Sequence, residues 1–84
     1  METRTKEIVD LGLTAALTTR GFLLLDIQPV DARRFAFIFS ASEELEQEIQ
    51  KYWNNTLTVP AQRYFDQIKV IKNRLYAQKQ YGNK

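Results

Sequence analysis

The amino-acid sequence predicts an α+β domain, a small antiparallel sheet built on a central β-hairpin and covered by three helices, the last of them long and amphipathic. Three observations carry that reading. Ala61, Tyr64, Phe65, Ile68, Ile71 and Leu75 recur at spacings of three and four, which puts six apolar side chains on one stripe of a helix over residues 59–77. Residues 22–28 and 33–40 are rich in β-branched, leucine and aromatic side chains and are joined by Pro29-Val30-Asp31-Ala32, the pattern of two strands and a turn. Before and after this hairpin, two shorter stretches follow residues suited to capping a helix N-terminus.

The chain has 84 residues, enough for one domain. At that size folding buries only about 60% of the surface that the unfolded chain exposes, so a small core must be used fully. A composition of 44% hydrophobic and 26% charged residues is that of an ordinary globular protein. No apolar run approaches the ~20 residues that span a bilayer. The first residues carry Glu2, Arg4, Lys6, Glu7 and Asp10 where a secretory signal would be apolar, so the expectation is a cytoplasmic protein with no membrane partner. With no cysteine there is no disulfide framework, and with no histidine either the usual zinc ligands are missing. No metal or cofactor is expected.

Taken in order, residues 1–7 are polar and read as a flexible N-terminus, residues 8–79 as the globular domain and residues 80–84 as a flexible tail. Ile8-Val9 suits a short strand. Asp10 is suited to cap a helix over residues 11–20, with Leu13, Ala16 and Leu17 inward and Gly21 free to take the left-handed conformation that closes it. Gly12, Thr14, Thr18 and Thr19 are weak helix formers, so this helix should lean on tertiary contacts. Alternation along the hairpin assigns Leu23, Leu25, Ile27, Phe35, Phe37 and Phe39 to the core. The other face then carries Phe22, Leu24, Ala36 and Ile38, and with an unpaired edge at residues 33–40 it forms a candidate interface for a second copy or another protein. Ser40-Ala41-Ser42-Glu43 has capping-box spacing and opens a second helix. Its glutamates crowd toward the positive end of the helix dipole, and Leu45, Ile49, Tyr52 and Trp53 form its buried stripe. Asn54-Asn55 should end it. Leu57-Thr58-Val59 reads as extended, and if it adds a strand the element order becomes βαββαβ. Pro60 is placed as the first residue of the last helix.

Phe37-Ile38-Phe39, Glu44-Leu45, Tyr52-Trp53-Asn54, Val59, Tyr64-Phe65 and Lys72-Asn73-Arg74-Leu75-Tyr76, with Asp10-Leu11, Leu17 and Gly21-Phe22 before them, resemble a small prokaryotic and phage-associated domain of unknown function, number 5659. The resemblance covers residues 8–77. Asn55 stands where that family often has glycine, and Pro60 follows Val59 where an acidic residue is common. Both departures fit the same fold, because asparagine can turn left-handed and proline can start a helix. The resemblance implies a setting in a phage or other mobile element. It implies no activity.

For function, no pattern of catalytic residues is present, and the sequence reads as a non-enzymatic module. The three glycines, Gly12, Gly21 and Gly82, are too scattered for a phosphate-binding loop, and the glutamates of the second helix have no histidine or aspartate at metal-ligand spacing. Charge is more telling. Residues 1–58 hold six basic against nine acidic side chains, and residues 59–84 six basic against one acidic. Lys69, Lys72, Tyr76 and Lys79 share one flank of the last helix, with Arg63 and Arg74 on the other, so nucleic-acid contact is expected through Lys69, Lys72, Arg74, Tyr76 and Lys79. The same residues also suit a plain role, complementing the helix dipole and solubilising the domain. Arg34-Phe35-Ala36-Phe37-Ile38 partly matches the RNA-binding strand of the RNA-recognition motif, but three helices in so short a chain need the phenylalanine face as core.

Overall fold

The computed structural model describes residues 4–82, with side chains described through residue 78. The elements run β1 (Thr5–Ile8), α1 (Leu11–Thr19), β2 (Leu24–Pro29), β3 (Phe35–Ser40), α2 (Glu43–Trp53) and α3 (Ala61–Gly82). The strands form one antiparallel sheet in the order β1-β3-β2, so the protein is α+β with a hairpin, one added strand and three helices. Among the described residues no helix is long and apolar enough to cross a membrane.

Four details of topology and extent differ from the sequence expectation. The added strand starts at Thr5, inside the stretch read as flexible, and pairs Lys6 with Phe39 and Ile8 with Phe37. Its short polar alternation hides it from a pattern search. Consequently β3 is the central strand, paired on both sides, and offers no edge for a partner. Residues 57–59 join no ladder, so the order is βαββαα, without the fourth strand that a βαββαβ-like order requires. At the other end α3 continues to Gly82, into the stretch read as a tail; residues 1–3 and 83–84 lie outside the described residues.

Phe37 and Phe39 on the central strand, with Ile8 and Ile27 beside them, pack against Leu13, Ala15 and Leu17 of α1, Leu45 and Ile49 of α2, and Ile71 of α3. This is the covered face that three helices require. It also removes the open aromatic sheet of an RNA-recognition motif, since Phe37 and Phe39 are buried and only Phe35, at the strand's start, keeps partial exposure. Helix α1 is buried over the five consecutive residues Leu13 to Leu17, more than a full turn, so it is enclosed on every side. That explains its small residues. Its buried Thr14 hydroxyl donates to the Asp10 carbonyl at 2.9 Å, and those of Thr18 and Thr19 donate to the Ala15 carbonyl, so none is left unpartnered.

The alternation on β2 is broken by a bulge. Leu24 pairs with Phe39 but Asp26 pairs with Ile38, leaving Leu25 as the extra residue. Ahead of the bulge the inward positions are therefore Phe22 and Leu24, which pack on the core, while Leu23 is 74% exposed and Leu25 45% exposed. The proposed interface set thus divides. Phe22 and Leu24 belong to the core face. Ala36 and Ile38 occupy the other face but are buried on the central strand, flanked in register by Glu7, Asp26 and Gln28.

Helix ends follow local chemistry. The Asp10 carboxylate accepts from the Leu13 N–H at 2.8 Å and caps α1. For α2 the cap is Ser42, which accepts from the Leu45 N–H at 3.0 Å; Ser40 ends β3, so the expected capping box does not form. Both helices stop in the same way. A left-handed residue, Gly21 (φ 100°) or Asn55 (φ 63°), lets Phe22 N–H reach the Leu17 carbonyl and Thr56 N–H reach the Lys51 carbonyl. Pro60 lies just outside α3, its carbonyl accepting the Tyr64 N–H at 3.0 Å. The inward stripe of α3 is Tyr64, Ile68, Ile71 and Leu75; Phe65, one position off it, is 57% exposed. Trp53 on α2 is likewise exposed, at 59%, where the sequence placed it in the core.

Candidate nucleic-acid interface

Helix α3 is 22 residues long and carries the basic side chains. Successive residues advance about 100° around an α-helix, which fixes which of them share a face. Lys69, Lys72 and Tyr76 fall on one flank, beside the buried stripe, and all three are exposed. Arg74 is two residues from both Lys72 and Tyr76, so it points about 200° away from them and does not join that surface. Lys79 is within the helix, but its side chain lies outside the described residues. Of the five expected residues, the fold therefore brings Lys69, Lys72 and Tyr76 together and sets Arg74 apart.

What the sequence did not single out is the partner surface. At the C-terminal half of α3 an open groove of about 210 Å³ runs between the helix and the start of β3, lined by Leu11, Arg33, Phe35, Lys72, Leu75 and Tyr76. Two cations thus flank two aromatic rings. Tyr76 is 64% exposed, with its ring free of the core. Arg33 and Phe35 come from the end of the hairpin turn, some forty positions earlier in the chain, and no local pattern connects them with the helix. The partial RNA-binding motif at residues 34–38 did mark Phe35, for a different geometry.

The turn itself orients the arginines. Asp31 accepts hydrogen bonds from the Arg33 and Arg34 backbone N–H groups at 2.8 and 2.9 Å, and its other oxygen accepts from Arg34 Nε at 2.9 Å. The Arg33 N–H and the Arg34 guanidinium hold the Asp31 carboxyl below its usual range. Arg34 is therefore tied to Asp31, whereas Arg33 and Lys72 form no ion pair among the described residues. On the upper part of the same flank, Lys69 Nζ lies 4.6 Å from the centre of the Phe65 ring, a cation–π contact that holds the ammonium on the helix surface.

No curated protein and no solved structure matches the chain. A family model matches residues 3–77, nearly the whole chain and every residue of the groove, and the protein accordingly belongs to the family described as Domain of unknown function (DUF5659).

Proposed function

We propose that this domain is a non-enzymatic accessory module that associates with single-stranded nucleic acid through the groove between α3 and the start of β3, in keeping with a mobile-element or phage setting. The observation that carries the reading is the pairing of Arg33 and Lys72 with Phe35 and Tyr76 in one groove. Single-strand binding needs cations that follow the backbone and aromatic faces on which bases stack, and it tolerates any sequence because every base has a π-face. A duplex would find only the cations, since its bases are stacked away from Tyr76.

Fluorescence anisotropy with a labelled oligonucleotide tests it. Each phosphate neutralised on a single strand contributes about −0.7 to the slope of log affinity against log salt, so Lys72→Ala should flatten that slope by about 0.7. Tyr76→Ala should weaken single strands by about 1–3 kcal/mol and leave duplex binding nearly unchanged. Arg74→Ala, on the opposite side of the helix, should do little. No binding at low salt, or binding indifferent to Lys72 and Tyr76, returns the basic helix to a solubilising role.

A second reading rests on Leu23 and Leu25, two exposed leucines at the β2 bulge and just ahead of the strand. They support a self-associating or protein-binding module in place of the original set of Phe22, Leu24, Ala36 and Ile38.

A further inference from the structure

We propose that the pocket where the three helices meet is a binding site for a quaternary ammonium group. The pocket measures about 490 Å³, within the range of small-molecule sites, and shares no lining residue with the groove above. Tyr52, Trp53 and Tyr64 supply its aromatic walls, and Ala16, Leu57 and Val59 its apolar ones. The Tyr52 and Trp53 rings stand at 84° with centroids 5.0 Å apart, so they form two sides of a corner. Trp53, the last residue of α2, is 59% exposed, one turn beyond the buried Ile49.

Charge selects the ligand. No lysine or arginine lines the pocket. Behind the aromatic walls the Asp10 carboxylate and the Tyr52 and Tyr64 hydroxyls converge over Gly12: a Cβ there would lie 2.8 Å from Tyr52 Oη and 3.3 Å from both Asp10 Oδ1 and Tyr64 Oη. The Tyr64 hydroxyl donates to the Gly12 carbonyl at 3.2 Å, which turns its polar end toward α1 and leaves its ring on the pocket side. Burial raises the Tyr52 phenol above its usual range, and the negative charge of Asp10 adds to the effect. An anion would meet that same negative field.

Among cations, hydration decides. An ordinary ammonium is compact and strongly hydrated, so it gains little from aromatic walls over water, and Asn55 is the one side-chain amide in the lining. A trimethylammonium group has no N–H to satisfy, and its diffuse positive charge is attracted by the negative faces of the rings. Two sources share this chemistry: a small choline-like molecule and the methylated lysine side chain of a protein.

Trp53 is the chain's single tryptophan and sits in the pocket wall, so its fluorescence reports occupancy directly. The titrants are choline, a trimethyl-lysine peptide, and the neutral carbon isostere of choline in which a tert-butyl group replaces the trimethylammonium. At least one ammonium ligand should give a saturable response, and the isostere should bind about 10- to 30-fold more weakly than choline. Whichever of choline and the peptide binds tighter identifies the source. Asp10→Asn keeps a capping side chain and should lower choline affinity about threefold without changing the isostere. Trp53→Ala, followed by titration calorimetry, should weaken choline at least tenfold. Equal affinity for choline and the isostere, unchanged calorimetric affinity in Trp53→Ala, or no saturable response to either ammonium ligand overturns the proposal.

Discussion

Gly12 is held to a bare Cα by its surroundings, because an added methyl would come within 2.8 Å of the Tyr52 hydroxyl. Rigid rings anchored in two other helices cannot yield cheaply, so Gly12→Ala should cost about 1–3 kcal/mol in a urea melt despite the better helix propensity of alanine. Glu48 is a second residue under constraint. Its side chain is 9% exposed, accepting from Arg20 Nε at 2.6 Å and pairing with Lys51 Nζ at 3.2 Å. Burial pushes its carboxyl up, but the hydrogen bonds and charges of Arg20 and Lys51 outweigh burial, and the carboxyl lies below its ordinary value of 4.5. A carboxylate held low in the folded state contributes stability that is full above its ordinary value and is lost as the pH falls through the folded one. Wild type should therefore exceed Glu48→Gln in stability at neutral pH, and the gap should close as the pH falls below 4.5 and through the lowered folded-state value in pH-dependent urea melts. Reading Glu48 only as one of several glutamates crowded toward the positive end of the helix dipole missed this. Its partner Arg20 lies 28 positions away at the end of α1, and only the packing of α1 on α2 brings them together.

Helix α3 displays how far a periodic pattern carries. Spacings of three and four located the helix and most of its buried stripe, but Tyr64 and Phe65 are adjacent and only one of two neighbours can point straight at the core. Tyr64 wins because its hydroxyl reaches the Gly12 carbonyl. Ile71→Ala should cost about 2–5 kcal/mol, whereas Phe65→Ala should cost under about 1 kcal/mol, as denaturant melts would record. On β2 the alternation pattern failed for a different reason. One extra residue at Leu25 reverses which side chains face inward, and a bulge leaves no mark in an apolar run where both registers look equally good. The testable consequence is that Leu24→Ala destabilises the domain while Leu23→Thr is nearly silent. Turn chemistry was the most legible level: Asp10, Gly21 and Asn55 perform the roles their side chains suit, since capping and left-handed turns depend on one residue and its nearest neighbours. Groove residues were legible on the helix side and not on the hairpin side, because Lys72 and Tyr76 belong to one periodic surface and Arg33 reaches it only through tertiary folding.

At the scale of the molecule, the Cα atoms extend 41 by 37 by 19 Å. The thin dimension fits two layers, a sheet and its helices, with about 10 Å between them; on the face away from the core Ala36 and Ile38 are buried while the flanking Glu7, Asp26 and Gln28 are exposed. Both sheet edges are guarded. β1 has four residues and carries Lys6 and Glu7; β2 contains the bulge and Pro29, and Gln78 Nε2 of α3 donates to its Ile27 carbonyl at 3.3 Å. Strand-to-strand extension of the sheet is thus disfavoured, and Leu23 and Leu25 offer an apolar surface for self-association that needs no free edge. If that reading holds, sedimentation equilibrium should show a dimer growing in from micromolar to hundreds of micromolar, and the double change Leu23→Lys, Leu25→Lys should abolish it without lowering the melting temperature, because neither leucine is in the core. The charge-neutral double change Leu23→Ser, Leu25→Ser should bind a single-stranded oligonucleotide as the wild type does, since neither leucine lines the groove. A wild-type protein that stays monomeric across that range would remove the self-association reading while leaving the groove, on Arg33, Phe35, Lys72 and Tyr76, to be judged by its own salt dependence.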